Sequence, residues 1–234
     1  MNARVAQRRP VSRIEQLLNA AARVFISRGY RRAGMSEIAR EMGVAPGTVY
    51  LYVESKEALF HVLAMHLAVT PGAPLPELPM KTPPPGTTLE MLRRAMTMEA
   101  YSPTLAAVLR GAAPSRISDK LEAVITELYD AAYERRDGIN LIERSAIDWP
   151  ELEETFYEGL RTPLVKALSE MLQRGIAAGE FRPVPNIRVA ARFIVETIAW
   201  FAIHRHGDPR PSGFTDDEAR QTVIAMIKTS VLVV

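Results

Sequence analysis

The sequence contains no cysteine, which excludes disulfides, thiolate metal ligands and a cysteine nucleophile. No run approaches eighteen apolar residues, so no membrane span is expected. The first twelve residues hold arginines but no apolar core and no small-residue cleavage site. No secretory signal is therefore expected, and a cytoplasmic location fits. Histidine is scarce: His61, His66, His204 and His206 are the only four. Spaced by five and by two, neither pair shares a helix face as an i, i+4 metal pair would. Phosphate loops, nucleophile elbows and dinucleotide glycine fingerprints are all missing. The acidic groups Asp216-Asp217-Glu218 and Glu151 with Glu153-Glu154 fall at helix starts, where they complement the dipole. No metal, cofactor or catalytic residue is expected, and an enzyme is the remote alternative. Runs of alternating β-branched residues are lacking too, so the expected fold class is all-α.

What is present suits a buried core: 234 residues, 47% hydrophobic and 24% charged. The charge is unevenly placed. Residues 1–66 hold ten Lys/Arg against five acids, a net +5, which leaves −3 for the rest of a chain whose total is +2. A basic head on a mildly acidic body suits a nucleic-acid binder, whose affinity comes largely from neutralising phosphates. A solvated basic face is the plainer reading of charge alone.

Residues 1–12 form a patternless basic arm whose Arg4, Arg8 and Arg9, with Arg13 beyond, suit long-range attraction or minor-groove contact. A helical period then begins, with Ile14, Leu17, Leu18, Ala21, Val24 and Phe25 at steps of three and four and Gly29 as its stop. Ser36 is a plausible cap for a second short helix, and Gly43 ends it. Pro46 opens a third, where its fixed φ suits the first helical position. Ser55 caps a fourth, whose inward stripe is Leu59, Phe60, Leu63 and Leu67. Between Pro71 and Gly86 lie seven prolines, which bar a helix or central strand. The expected division is a head over 13–69, a linker or long surface loop over 70–87, and a helical body over 88–234.

Ala39, Gly43 and Val49 carry the functional argument. A helix-turn-helix needs a small residue where its helices cross, a residue tolerant of positive φ in the turn, and an inward aliphatic residue on the second helix. These three supply them in order, with Ile38 and Val53 completing the wedge. Gly47 has no side chain to hold a DNA backbone away. Thr48, Tyr50 and Tyr52 offer hydroxyls to phosphates and base edges, with packing inside the head as the alternative for Tyr50. Lys56 opposes the dipole of its helix. A phosphate there would make the lysine and the free amides one anion site, and a solvated lysine beside Glu57 is the alternative. Ser36 is a second hydroxyl placed to donate to a phosphate.

The run from Ala39 to Val53, followed by Ser55-Lys56-Glu57-Ala58-Leu59 and preceded by Ala21, Phe25 and Gly29, resembles the DNA-binding signature of the tetracycline-repressor (TetR) family. Val53 departs from it, since an aromatic is common there. The resemblance implies phosphate contacts at Thr48, Tyr50 and Tyr52, with Pro46, Gly47 and Thr48 nearest the bases. It implies a homodimer on an inverted-repeat DNA operator, its last two helices pairing across the dimer axis, and a repressor released by a small-molecule effector. Ile194, Ile198, Phe201, Ile224, Ile227 and Val231 are the expected dimer residues. Met96, Tyr101, Trp149, Phe156 and Phe193 are the expected lining of a site for a hydrophobic or aromatic effector. The effector would shift the helix starting near Ser55 and change the spacing of the two heads. A DNA-coating architectural protein is the rival reading, against which the long helical body argues.

Overall fold

The computed structural model describes residues 12–74, 76–111, 116–210 and 213–233. The basic arm over residues 1–11 lies outside them. Thirteen α-helices account for most of the described chain, and the only β pairing among described residues is two isolated bridges. None of these helices is long and apolar enough to cross a membrane.

The head comprises α1 (Arg13–Arg28), α2 (Met35–Met42), α3 (Pro46–Val49) and α4 (Lys56–Ala64). Ser12 caps α1: its hydroxyl accepts from the Glu15 amide at 3.3 Å while the Glu15 carboxylate accepts from the Ser12 amide at 2.7 Å, satisfying two amides the helix leaves free. α4 runs on into a π-turn, Met65–Val69.

The body begins with α5 (Thr87–Ala95), α6 (Met98–Tyr101) and α7 (Pro103–Leu109). Ser102 and Thr97 cap the later pair. Next come α8 (Ser118–Glu134), α9 (Arg136–Ala146), α10 (Pro150–Phe156) and α11 (Thr162–Ala177), then α12 (Ile187–Ala202) and α13 (Asp216–Val231). A π-turn over Tyr157–Arg161 joins α10 to α11. Pro163 has no N–H to donate one turn back, and a widened turn absorbs the missing bond.

Asp137-Gly138 lies inside α9 with Gly138 buried. The reason is packing: a Cβ there would sit 2.6 Å from the Ala68 backbone of the π-turn after α4. The end of α13 is also tied within the chain. Leu232 pairs antiparallel with Phe181, and the Arg182 amide donates to the Val231 carbonyl at 2.8 Å.

The proline-rich segment is a strap along the head rather than a spacer. Met80, 1% exposed, pairs with Val53. Its amide donates to the Tyr52 carbonyl at 2.8 Å and its carbonyl accepts from the Glu54 amide at 3.0 Å. Lys81 pairs with Glu54 at 2.6 Å, and the Thr82 amide donates to the other Glu54 oxygen at 2.9 Å.

Candidate nucleic-acid interface and ligand cavity

The turn between α2 and α3 has the geometry its residues require. Gly43 sits at φ 69°, ψ 34°, a left-handed conformation that glycine adopts without steric cost. Its amide donates to the Arg40 carbonyl and that of Val44 to the Ala39 carbonyl, both at 3.0 Å. Ile38, Ala39, Val49 and Val53 are fully buried, so the crossing is locked from both sides. Pro46 is the first residue of α3.

Outward from this wedge lie the expected DNA-contacting residues. Pro46 and Gly47 are exposed, Thr48 is half-buried, and Tyr50 is 50% exposed, so inward packing at this turn falls to Val49. Among the described residues, no atom beyond its own chain neighbours and helix backbone lies within 4 Å of where a Cβ would sit on Gly47, which leaves the backbone open to close approach. Tyr52 is half-buried against the core. Ser36 is exposed but is not the cap of α2. Gly34 holds that position, and its amide donates to the Glu37 carboxylate at 3.1 Å.

Lys56 is turned inward. Its Nζ donates to the carbonyls of Tyr30 at 3.0 Å, Ala33 at 3.2 Å and Arg31 at 3.4 Å, and stands 4.6 Å from the Tyr30 ring centroid. Three carbonyl dipoles and an aromatic face use the whole ammonium, so the lysine ties α4 to the α1–α2 turn in place of the expected free anion site. Ser55 caps α4 as its position implies, accepting from the Ala58 amide at 3.1 Å. Burial first, and then the hydrogen bond given to Glu57 at 2.7 Å, raise the Tyr30 hydroxyl well above the usual tyrosine range. The same bond holds the Glu57 carboxyl below the usual carboxylate range.

The body encloses an apolar cavity of about 70 Å³ among α6, α8, α9, α10, α11 and α12. Tyr101 and Phe156 line it, as the sequence suggests. Burial pushes the Tyr101 hydroxyl up to about 12, so it stays protonated at neutral pH. The other three expected lining residues lie elsewhere. Met96 is buried in the general core. Trp149 stacks against Tyr30 at 4.9 Å, where head and body meet. Phe193 points outward, 63% exposed. Sequence reasoning missed Ile139, Glu143 and the π-turn residues Leu160 and Arg161, all of which line the cavity. One signal was available: Glu143 interrupts the apolar face of α9 formed by Ile139, Ile142 and Ala146.

α9 joins this cavity to the head. Next to Glu143, the Arg144 guanidinium donates to the Ser27 carbonyl at 3.1 Å, and Ser145 Oγ accepts from the Tyr30 amide at 3.1 Å. Gly29, at φ 80°, lies so close that a Cβ would sit 2.8 Å from the Arg144 carbonyl oxygen. Arg32 pairs with Asp148 at 3.2 Å just beyond the helix.

The expected dimer residues are internal. Ile194, Ile198, Ile224 and Ile227 are buried in the chain's own core, and Phe201 and Val231 are half-buried against it. α12 carries two apolar stripes, and periodicity alone does not say which one faces outward. The outer stripe is Val189, Phe193 and Trp200, 64%, 63% and 49% exposed, accompanied by Met226 of α13 at 68%.

A helix-turn-helix head locked to a helical body with an internal cavity defines a DNA-binding transcriptional regulator. The family model of bacterial regulatory proteins of the tetR family matches residues 17–63, and that of the tetracyclin repressor-like C-terminal domain matches residues 114–203. The chain belongs to the TetR family. It is 43% identical over 51 residues to a fatty acid metabolism regulator protein of Bacillus subtilis, a match spanning 22% of this chain and 25% of that one. To an uncharacterized HTH-type transcriptional regulator of the same bacterium, YfiR, it is 25% identical over 196 residues, 83% of this chain and 80% of the other. The solved structure of the ketosteroid transcriptional regulator KstR2 of Mycobacterium tuberculosis shares the fold. It has a TM-score of 0.56 at 20% identity, covering 97% of this chain and 98% of that one.

Proposed function

We propose that the protein is a homodimeric repressor that grips an inverted-repeat operator and releases it when an apolar effector enters the body. Pro46, Gly47, Thr48, Tyr50 and Tyr52, with Ser36, meet the DNA, and Lys56 holds the turn behind them. The two heads occupy major grooves on one face of the duplex, roughly 34–36 Å apart. The dimer forms through Val189, Phe193, Trp200 and Met226. The three α12 residues fall within roughly 40° of each other about the helix axis, and an exposed apolar stripe of this kind marks an interaction surface. Such a regulator works in the cytoplasm.

The observation that carries the reading is the double duty of α9. Ile139 and Glu143 line the cavity, while Gly138, Arg144 and Ser145 hold the head. The cavity, at about 70 Å³, is smaller than the roughly 300–1,000 Å³ of pockets that hold a drug-sized ligand. An effector must therefore displace a wall, and displacing α9 moves the head. The change passes to the head through α1 and the end of α4, the helix that starts after Ser55. The coupling is reciprocal, so operator binding weakens the effector equally.

Selection of bound duplexes from a random DNA pool tests the reading. Recovery of an inverted repeat, released by apolar compounds that bind the purified protein, is the expected result. Enrichment of no sequence by folded protein would favour an architectural DNA binder instead.

A further inference from the structure

Glu143 is the anomaly of the cavity: a carboxylate among Leu128, Ile139, Phe156, Leu160 and Ile198. It also lines the open groove formed with Ala146, Ile147, Pro150 and Tyr157, and its side chain is 23% exposed. It therefore stands at the mouth of the cavity, facing both the apolar interior and the outside.

Its acceptor capacity is unused. Among the described residues it accepts no hydrogen bond, and the nearest cationic atom, His204 Nε2, is 3.8 Å away, beyond hydrogen-bond reach. The cation on the same wall is committed elsewhere: Arg161 is paired with Glu196, which also holds Arg192 at 2.5 Å. An anionic ligand would meet an acid and an arginine already taken. A donor would meet a carboxylate that accepts no hydrogen bond and whose ion-pair partner, His204, stands 3.8 Å away.

We propose that the cavity selects an apolar molecule bearing a protonated amine, whose ammonium is held by Glu143 at the mouth while its hydrocarbon part fills the interior. The proposal rests on the cavity being the effector site, and it names the head group that site selects. Burial raises the Glu143 carboxyl above its ordinary range, with His204 and Arg161 acting in the opposite sense. A bound cation replaces the lost hydration and favours the charged form.

Octylamine, octan-1-ol and octanoate, equal in chain length and different in head group, make the test by calorimetry at neutral pH. Octylamine is expected to bind at least about tenfold more tightly than the other two, the margin of a charge-assisted hydrogen bond. Glu143→Gln, which keeps the volume, is expected to remove that preference, bringing octylamine to about the affinity of octan-1-ol. Ala199→Trp, filling the cavity, is expected to abolish binding of all three. Octanol or octanoate binding as tightly as the amine, with Ala199→Trp abolishing it, overturns the head-group assignment and leaves the cavity reading standing. Binding by none, or binding indifferent to Ala199→Trp, overturns both.

Discussion

The backbone amide of Tyr30 donates to the hydroxyl of Ser145 at 3.1 Å, across 115 positions of sequence. A residue of the α1–α2 turn is thus held by the residue two places after Glu143. This contact, with the Gly29 approach to Arg144 beside it, makes the head and α9 one mechanical unit.

Gly138→Ala is expected to destabilise the fold by about 1–3 kcal/mol, the cost of overpacking a tight contact. The new methyl would sit 2.6 Å from the Ala68 backbone, which has no side-chain freedom with which to yield. Chemical denaturation measures it, and a change under 0.5 kcal/mol would show that α9 is not seated against the end of α4.

Lys56→Ala separates holding a turn from neutralising a phosphate. Since its ammonium serves three carbonyls, the variant is expected to lose about 1.5–3 kcal/mol of stability and to bind the operator more weakly. The dependence of log affinity on log salt is expected to stay unchanged. A slope reduced by about 0.9 would assign the lysine to a phosphate instead.

Trp200→Asp combined with Phe193→Asp places charge on the outer stripe of α12 without touching the internal core. Sedimentation is expected to show monomers, with operator affinity lowered about a hundredfold or more because two heads no longer bind together. A dimer that persists would move the interface elsewhere.

Glu143 also predicts a pH dependence. Its carboxyl is raised in the folded chain, chiefly by burial, with Glu196 adding to the shift and His204 and Arg161 opposing it. Ionisation therefore costs stability, and the cost appears as pH rises through the ordinary carboxylate range and is complete above the raised value. Without ligand, Glu143→Gln should match the parent's melting temperature at about pH 4 and exceed it at neutral pH. Equal melting at both would remove the burial argument.

Much of the head was legible because its determinants are local. Gly43, Pro46 and Ser55 each settle the conformation of their own neighbourhood, and Ala39 and Val49 read correctly as the crossing. What was not legible depends on partners distant in sequence. Gly138 looks like a helix breaker until Ala68 lies against it. Lys56 looks free until the carbonyls of Tyr30, Arg31 and Ala33 curl around it. On α12 the aliphatic stripe that faces the core and the aromatic one that faces outward have the same period, so spacing alone did not separate them.

The Met80 pairing has a consequence for how the chain can be cut and rejoined. The head is completed by residues that arrive after the chain has left it, so its natural unit for transplantation runs from Ser12 to Thr82 and not to residue 69. A chimaera joined at residue 70 would carry an empty socket beside Val53, an orphaned amide at Glu54 and an unanswered carbonyl at Tyr52. It would therefore fail at the exit of the helix-turn-helix, even with all of residues 46–52 present.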